Sequence, residues 1–164
     1  MSIIIEHAKK TDVEACKEIF LSVWEGIHGA YTDLIGEELH DVFFGEWKGN
    51  VDHSFVEPFV AAMDGNHAFV ARDGDKVAGF AYYRITEEHK TANIGYNAVG
   101  LNYKKKGIGS MLYQSMIASM KAEGIQYVSV STGLDDAHAP ARKAYERAGF
   151  QKCLPSVRYF QKLQ

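Results

Sequence analysis

Cysteine is scarce in this 164-residue sequence: Cys16 and Cys153 stand far apart, and neither belongs to a CxxC pair. That excludes a disulfide framework and a paired redox centre, so no disulfide is expected. Cys16 falls on an apolar helical stripe and reads as a buried thiol. The seven histidines are scattered without HExxH or other metal-ligand spacing, so no metal is expected. No apolar run approaches the roughly 20 residues that span a bilayer. The start, Met-Ser-Ile-Ile-Ile-Glu-His, has neither the charged beginning nor the long apolar core of a secretory signal. A formal charge of −3, with both signs interspersed, gives no global positive field. No nucleic-acid or membrane partner is expected, and any anion site must be local. Repeats, low-complexity tracts and linkers are absent too. A hydrophobic fraction of 46% is ordinary for a globular chain. The expectation is a soluble, cytoplasmic protein with one domain over residues 1–164.

What is present is a run of short elements. Ile3-Ile4-Ile5 is a first strand. Thr11-Asp12-Val13-Glu14 fits a capping box with Thr11 as N-cap. Val13, Cys16, Phe20, Val23, Trp24 and Ile27 then mark one helical face, and Gly26 and Gly29 suggest that the helix ends near there. A second short helix is expected from about Asp33, and a third over 55–63 with Pro58 in its first turn. Residues 67–72 and 76–85 form a hairpin about Asp73-Gly74-Asp75. Glu87-Glu88-His89-Lys90 is a polar turn. Residues 91–99 are the next strand, and a helix follows from Ile108 until Gly124 stops it. Residues 125–131 form a strand parallel to 91–99. Pro140 opens a helix that stops at Gly149, and residues 150–160 are expected to close the sheet with one or two last strands.

The chemistry gathers at Tyr103-Lys104-Lys105-Lys106-Gly107-Ile108-Gly109-Ser110, between a strand and a helix. Gly107 and Gly109 let backbone N–H groups close on an anion. The first helical turn leaves its N–H groups without intrahelical partners and carries about half a positive charge. The combination suits a phosphate or pyrophosphate. It is not a Walker loop, because GxxxxGK[ST] is missing. It is not a dinucleotide fingerprint, because the third glycine of GxGxxG is replaced in Met111-Leu112.

The stretch resembles motif A of the GCN5-related N-acetyltransferases, [RQ]-x-x-G-x-[GA], with Lys104, Gly107 and Gly109 at the motif positions. Lysine is a departure there, and the bidentate reach of arginine is lost. Ala144-Tyr145-Glu146-Arg147-Ala148-Gly149-Phe150 resembles the same family's A-x-x-[LFY]-Y-E-[KR]-x-G-F helix ending, with its first alanine at Ala141. The resemblance covers roughly residues 67–152 and extends more loosely to the N-terminal strand and helix. It implies an α/β fold of the α+β type: a mixed, mostly antiparallel central sheet with a splayed parallel strand pair and flanking helices. It implies acetyl-CoA as acyl donor and the amine of a small molecule or peptide as acceptor, and it leaves room for a homodimer.

The resemblance also assigns roles. Lys104, Lys105, Lys106, Gly107, Ile108, Gly109 and Ser110 would hold the pyrophosphate. Backbone groups near Val99 and Leu101 would pair with the pantetheine arm, and one N–H there would stabilise the developing oxyanion. His138 occupies the position of a cofactor-contacting asparagine. Tyr145 would protonate the leaving thiolate: a phenol titrates near about 10 and a thiol near about 8.5, so the proton is available at neutral pH. Trp24, Tyr31, Tyr82 and Asn97 are candidate acceptor contacts. No acid lies within 91–99 to serve as general base. Glu25, His28 and His67 are candidates, beside a water chain or an amine that arrives neutral. Glu87 and Glu88 read as solvent-exposed. The other reading is a non-catalytic acyl-CoA-binding or sensing module on the same fold.

Overall fold

The computed structural model describes residues 2–86, 88 and 90–163. It contains a five-stranded sheet in the order β1-β2-β3-β4-β5. The strands are β1 (Ile3–His7), β2 (Ala68–Asp73), β3 (Lys76–Thr86), β4 (Thr91–Val99) and β5 (Tyr127–Val130). The first three pairings are antiparallel and β4–β5 is parallel. The helices are α1 (Val13–Ile35), α2 (Glu37–Phe44), α3 (Glu57–Asp64), α4 (Ile108–Ala122) and α5 (Ala139–Arg147). This is the mixed, mostly antiparallel sheet with flanking helices that the sequence implied. Of the polar turn after β3, Glu87 and His89 lie outside the described residues.

Strand β3 explains why there are two cores. Its residues 78–83 are all buried, because both faces of the sheet are covered. Ala81 and Tyr83 pack with Ile108, Leu112 and Met116 of α4 and with Tyr145 of α5. Phe80 and Tyr82 pack on the other face with Phe20 of α1, with Phe55 of the π-helical turn (Asp52–Val56) before α3, and with Phe59 of α3. The Phe20–Phe55 and Phe55–Phe80 rings lie 4.6 and 4.8 Å apart. Each such side chain contributes about 1.5–3 kcal/mol by leaving water.

Four sequence expectations are corrected. Asp12 rather than Thr11 stands at the N-cap position of the first helix, and its side chain does not cap that helix: its carboxylate accepts from the Lys9 backbone N–H at 2.9 Å and from Arg72 Nη2 at 2.9 Å. The Arg72 guanidinium, which also reaches Glu6 at 2.8 Å, pins that carboxylate to β2, and a 3-10 turn (Lys10–Asp12) precedes the helix. Helix α1 does not stop at Gly26 or Gly29 but runs to Ile35 and ends at Gly36, φ +83°. The second helix accordingly begins at Glu37, beyond the expected Asp33. Residues 150–163 form no strand. Pro155 lacks a ladder N–H, and the tail instead lies on α2. There the Arg158 guanidinium sits 5.7 and 5.4 Å from the Phe43 and Phe44 ring centres, and Lys162 pairs with Glu38.

Two backbone features open the sheet at one place. Between the Ala81–Asn97 and Tyr83–Ile94 pairs, β4 has one residue more than β3, so it bulges at Gly95–Tyr96. On its other edge the pairing with β5 ends at Ile94–Val130. Beyond that point β4 continues to Val99, its β5-facing edge unpaired. The parallel strands part where the bulge begins.

Candidate active site

A cleft of about 1150 Å³ lies over the parted strands. It collects residues from α1, α2, β4, the glycine turn, the loop after β5 and α5. Val99, Lys104, Lys105, Gly107, Ile108, Gly109 and Ser110 line one part of it. Gly107 is the N-cap of α4 at φ +78°, and Lys105 also takes a left-handed φ of +63°, a strained choice for a side-chain-bearing residue. The first helical bond is Met111 N–H to the Gly107 carbonyl. The N–H groups of Ile108, Gly109 and Ser110 therefore find no backbone acceptor among the described residues. A Cβ added at Gly109 would meet nothing nearer than Val99 Cγ2 at 4.0 Å. Nothing in the protein's own packing demands glycine there; the space lies on the cleft side, where a phosphate would sit. The residues thus fit a pyrophosphate held by backbone N–H groups and two lysines.

Not every predicted contact gathers here. Lys106 turns away: its Nζ donates to the Asn102 carbonyl at 3.2 Å and lies 5.2 Å from the Tyr103 ring centre. Leu101 is half exposed in a short 3-10 turn and does not line the cleft. Tyr82, a candidate acceptor contact, is only 1% exposed. It lies under the bulge, where a Cβ at Gly95 would come within 2.3 Å of its ring, so it supports the cleft without lining it. Trp24, Tyr31, Asn97, His138 and Tyr145 do line the cleft.

Tyr145 is buried on α5, edge-on to Tyr113 at 5.4 Å. The Tyr113 hydroxyl donates to Asn97 Oδ1, and Asn97 Nδ2 donates to the Gly95 carbonyl at 3.1 Å. Burial, and secondarily the neighbouring Tyr145, push the Tyr113 hydroxyl upward, so it stays protonated as a donor. His138 is held by Asp135, whose carboxylate accepts from its Nδ1 at 2.8 Å and from its backbone N–H at 3.2 Å. Burial alone would raise Asp135, but the hydrogen bonds from His138 outweigh it and hold the carboxyl below its usual range.

The remaining wall is aromatic: Trp24 and Tyr96 from α1 and β4, then His28, Tyr31, Phe44 and Trp47. His28 stacks on Trp47 at 4.2 Å and meets Tyr31 edge-on at 5.5 Å; Tyr31 faces His138 at 6.1 Å. Of the candidate bases, Glu25 is exposed and pairs with Lys48 at 2.7 Å, and His67 pairs with Glu123 at 2.9 Å; neither lines the cleft. Glu88 is exposed, and Glu87 lies outside the described residues. Sequence reasoning missed His40, Trp47 and Tyr113. The available signals were the four-residue spacing of His40 and Phe44 on one face of α2, and the three- and seven-residue spacing of Tyr113 to the buried Met116 and Met120 on α4. Among the described residues, no group of three or more His, Cys, Asp or Glu side chains converges to hold a metal ion.

Fold and cleft together define a mixed sheet with an open cleft over two parted strands and an N–H-rich turn at its edge. Residues 33–150 match the acetyltransferase (GNAT) family, and the chain belongs to that family. It is 31% identical over 90 residues to YsnE of Bacillus subtilis (strain 168), an uncharacterized N-acetyltransferase; the match covers 54% of this chain and 58% of the relative. The chain thus spans little more than half the length of that relative. Among solved structures, the fold is similar to the PaiA N-acetyltransferase from Thermoplasma acidophilum in complex with coenzyme A (TM-score 0.73, 19% identity, 92% of this chain and 91% of that one). It is also similar to AAC(6')-Iy in complex with the bisubstrate analog CoA-S-monomethyl-acetylneamine (TM-score 0.66, 13% identity, 99% and 100%).

Proposed function

We propose that the protein transfers the acetyl group of acetyl-CoA to the primary amine of a small molecule by direct attack. The observation that carries this reading is the coincidence of three features in one cleft: the parted β4–β5 edge, the N–H-rich turn at Gly107–Gly109, and the Tyr145 hydroxyl-bearing ring. Bound acetyl-CoA supplies an activated thioester. The turn and Lys104 and Lys105 anchor its pyrophosphate, and the unpaired edge from 95 to 99 offers backbone partners for the pantetheine arm. Tyr145 delivers a proton to the departing sulfur. Such general acid assistance is worth about 10²–10⁴-fold.

The walls bear on the acceptor. Asp136 is the one carboxylate lining the cleft among the described residues, against Lys104, Lys105, Lys143 and Arg147. A polycationic acceptor would gain little there. The aromatic wall suits a monoamine with an apolar or aromatic body. The test is thiol release from acetyl-CoA with a panel of aryl- and alkyl-monoamines, amino acids, polyamines and aminoglycosides. Turnover with apolar monoamines above the others is expected. Binding of coenzyme A without thiol release on any amine would leave only the sensing role.

A further inference from the structure

His28, a candidate base that lines the aromatic wall, meets a second histidine, His40, behind it. His28, on α1, and His40, on α2, are 9% and 8% exposed. Their rings cross at 83°, with His28 Nδ1 3.1 Å from His40 Nε2. The other nitrogen of His40, Nδ1, lies 3.4 Å from Asp41 Oδ1, and the Asp41 side chain is 78% exposed. The row therefore runs from the cleft, through two buried imidazoles, to a carboxylate in solvent.

The end of the row fixes its protons. An ionised carboxylate only accepts hydrogen bonds. His40 therefore carries its proton on Nδ1, toward Asp41, and presents a lone pair at Nε2. That lone pair requires a donor, so His28 carries its proton on Nδ1. The remaining atom, His28 Nε2, is then a bare lone pair. It has no hydrogen-bond partner among the described residues, yet no buried, unpartnered polar side-chain atom occurs among them. His28 Nε2 is thus reachable, and His28 is part of the cleft lining. A stacked, oriented imidazole with one free lone pair facing a substrate cavity is the geometry of a proton acceptor.

We propose that His28 is the general base of the transfer and that His40 and Asp41 are positioning residues that hold its ring in the tautomer with a bare Nε2. The proposal rests on the transferase reading above. As the acceptor nitrogen bonds to the acetyl carbon, it loses one proton to His28 Nε2. The carbon–sulfur bond breaks, and the sulfur takes the Tyr145 hydroxyl proton. His28 then gives that proton from Nε2 to water in the cleft, while its Nδ1–H stays donated to His40 Nε2 and keeps the ring in the same tautomer. Tyr145 regains a proton from solvent, so a neutral amine and acetyl-CoA give amide and free thiol with no net proton change.

The surroundings keep the acceptor neutral. Burial, then the proximity of His40 and the charge of Lys48, push His28 down to about 4. The groups that face it are His40 and Asp41 from α2, Lys48 after it, and Tyr31 on its own helix, which meets His138 and Asp135 beyond. Lys48 is itself paired with Glu25. The lone pair is therefore free throughout the neutral range, and the arm of the pH profile near neutrality belongs to the amine.

The experiment is kinetic and uses an acceptor that the wild-type protein turns over. His28→Ala should lower kcat about 10²–10⁴-fold with the KM for acetyl-CoA unchanged. Added imidazole should restore at least tenfold of the loss, tracking the free-base form of imidazole with pH, because the vacated slot on Trp47 accepts the same ring. A purely structural role would show no such dependence on imidazole protonation. His28→Ala within threefold of wild type, or a folded, slow variant that imidazole does not rescue, overturns the proposal. If His28→Ala does not fold, two variants at His40 decide. His40→Gln keeps an oxygen that accepts from His28 Nδ1–H and should hold kcat within threefold, whereas His40→Leu removes the acceptor and should lower kcat tenfold or more with the KM for acetyl-CoA unchanged. Equal kcat in the two variants overturns the proposal. A wild-type protein silent on every amine would instead sink the transferase reading itself.

Discussion

Gly95 is the position where one methyl group should do most damage. A Cβ built there would stand 2.3 Å from Cε2 and Cζ of Tyr82 and 2.8 Å from its hydroxyl oxygen. Carbon atoms pack at about 3.5–4.0 Å, so either the ring or the bulge must move by more than about an ångström. The ring has nowhere to go: Tyr82 is 1% exposed, with Phe59 edge-on at 5.8 Å. Overpacking a well-filled core costs about 1–3 kcal/mol, and a clash of this depth against a rigid ring belongs at the upper end, about 3 kcal/mol. For a domain of this size that is a fall in Tm of about 6–12 °C. Guanidinium unfolding of Gly95→Ala measures it, provided the m-value is unchanged. The cause is separable by a cycle with Tyr82→Leu, whose side chain stops short of the clashing ring atoms. In that background Gly95→Ala should cost little, giving a coupling of about 2 kcal/mol or more. A single variant within about 0.5 kcal/mol of wild type, or two substitutions that simply add, would refute the argument.

Three further outcomes are expected. Tyr145→Phe keeps the buried ring and its contact with Tyr113, so coenzyme A affinity by calorimetry should hold while kcat falls about 10²–10⁴-fold; unchanged kcat removes Tyr145 from the chemistry. Glu123 is held below its usual range: burial opposes this, but hydrogen bonds from Tyr83 at 2.6 Å and His67 at 2.9 Å prevail. A depressed carboxyl contributes stability above its unfolded pKa of about 4.3 and loses it as pH falls through the lower folded value. The Tm gap between wild type and Glu123→Gln should therefore be open at pH 7 and close at strongly acidic pH; a gap independent of pH would contradict this. Gly29→Ala, mid-helix with nothing within 4 Å of an added Cβ, should raise stability by about 0.5–1 kcal/mol in the same unfolding assay.

The glycine-turn side of the cleft was legible in the sequence because its signals are local. A strand, a lysine–glycine turn and a helix follow one another within 91–122, and the structure keeps those limits at Thr91–Val99 and Ile108–Ala122. The aromatic wall was not legible, because its residues meet through tertiary packing. Gly26 and Gly29 signal a helix end, yet each costs only about 1 kcal/mol relative to alanine. Burial of Phe20 and His28 along the same helix outweighs that. Only with α1 extended to Gly36 does the chain turn back so that α2 brings His40 onto His28. The tail misled for a related reason. Val157, Tyr159 and Phe160 have strand propensity, but propensity does not say whether an edge is available, and Arg158 finds three aromatic rings near α2 instead.

On the transferase reading proposed above, this division predicts that the acceptor can change without loss of the donor. The edge of β4 is fixed from within the sheet: Tyr82 holds the bulge from below, and Tyr113 holds Asn97, whose amide in turn holds Gly95. None of these contacts involves α2 or the last turns of α1. Four residues of the aromatic wall, His28, Tyr31, Phe44 and Trp47, are by contrast carried on α1 beyond Ile27 and on the segment after Gly36. Substitutions there alter the shape and polarity of the acceptor wall while the N–H groups at Ile108, Gly109 and Ser110 stay where they are. Replacing residues 28–47 should therefore change which amine is turned over and leave coenzyme A affinity intact. Matched losses of both would mean that the two walls are a single cooperative unit, not a fixed donor frame with an exchangeable cover.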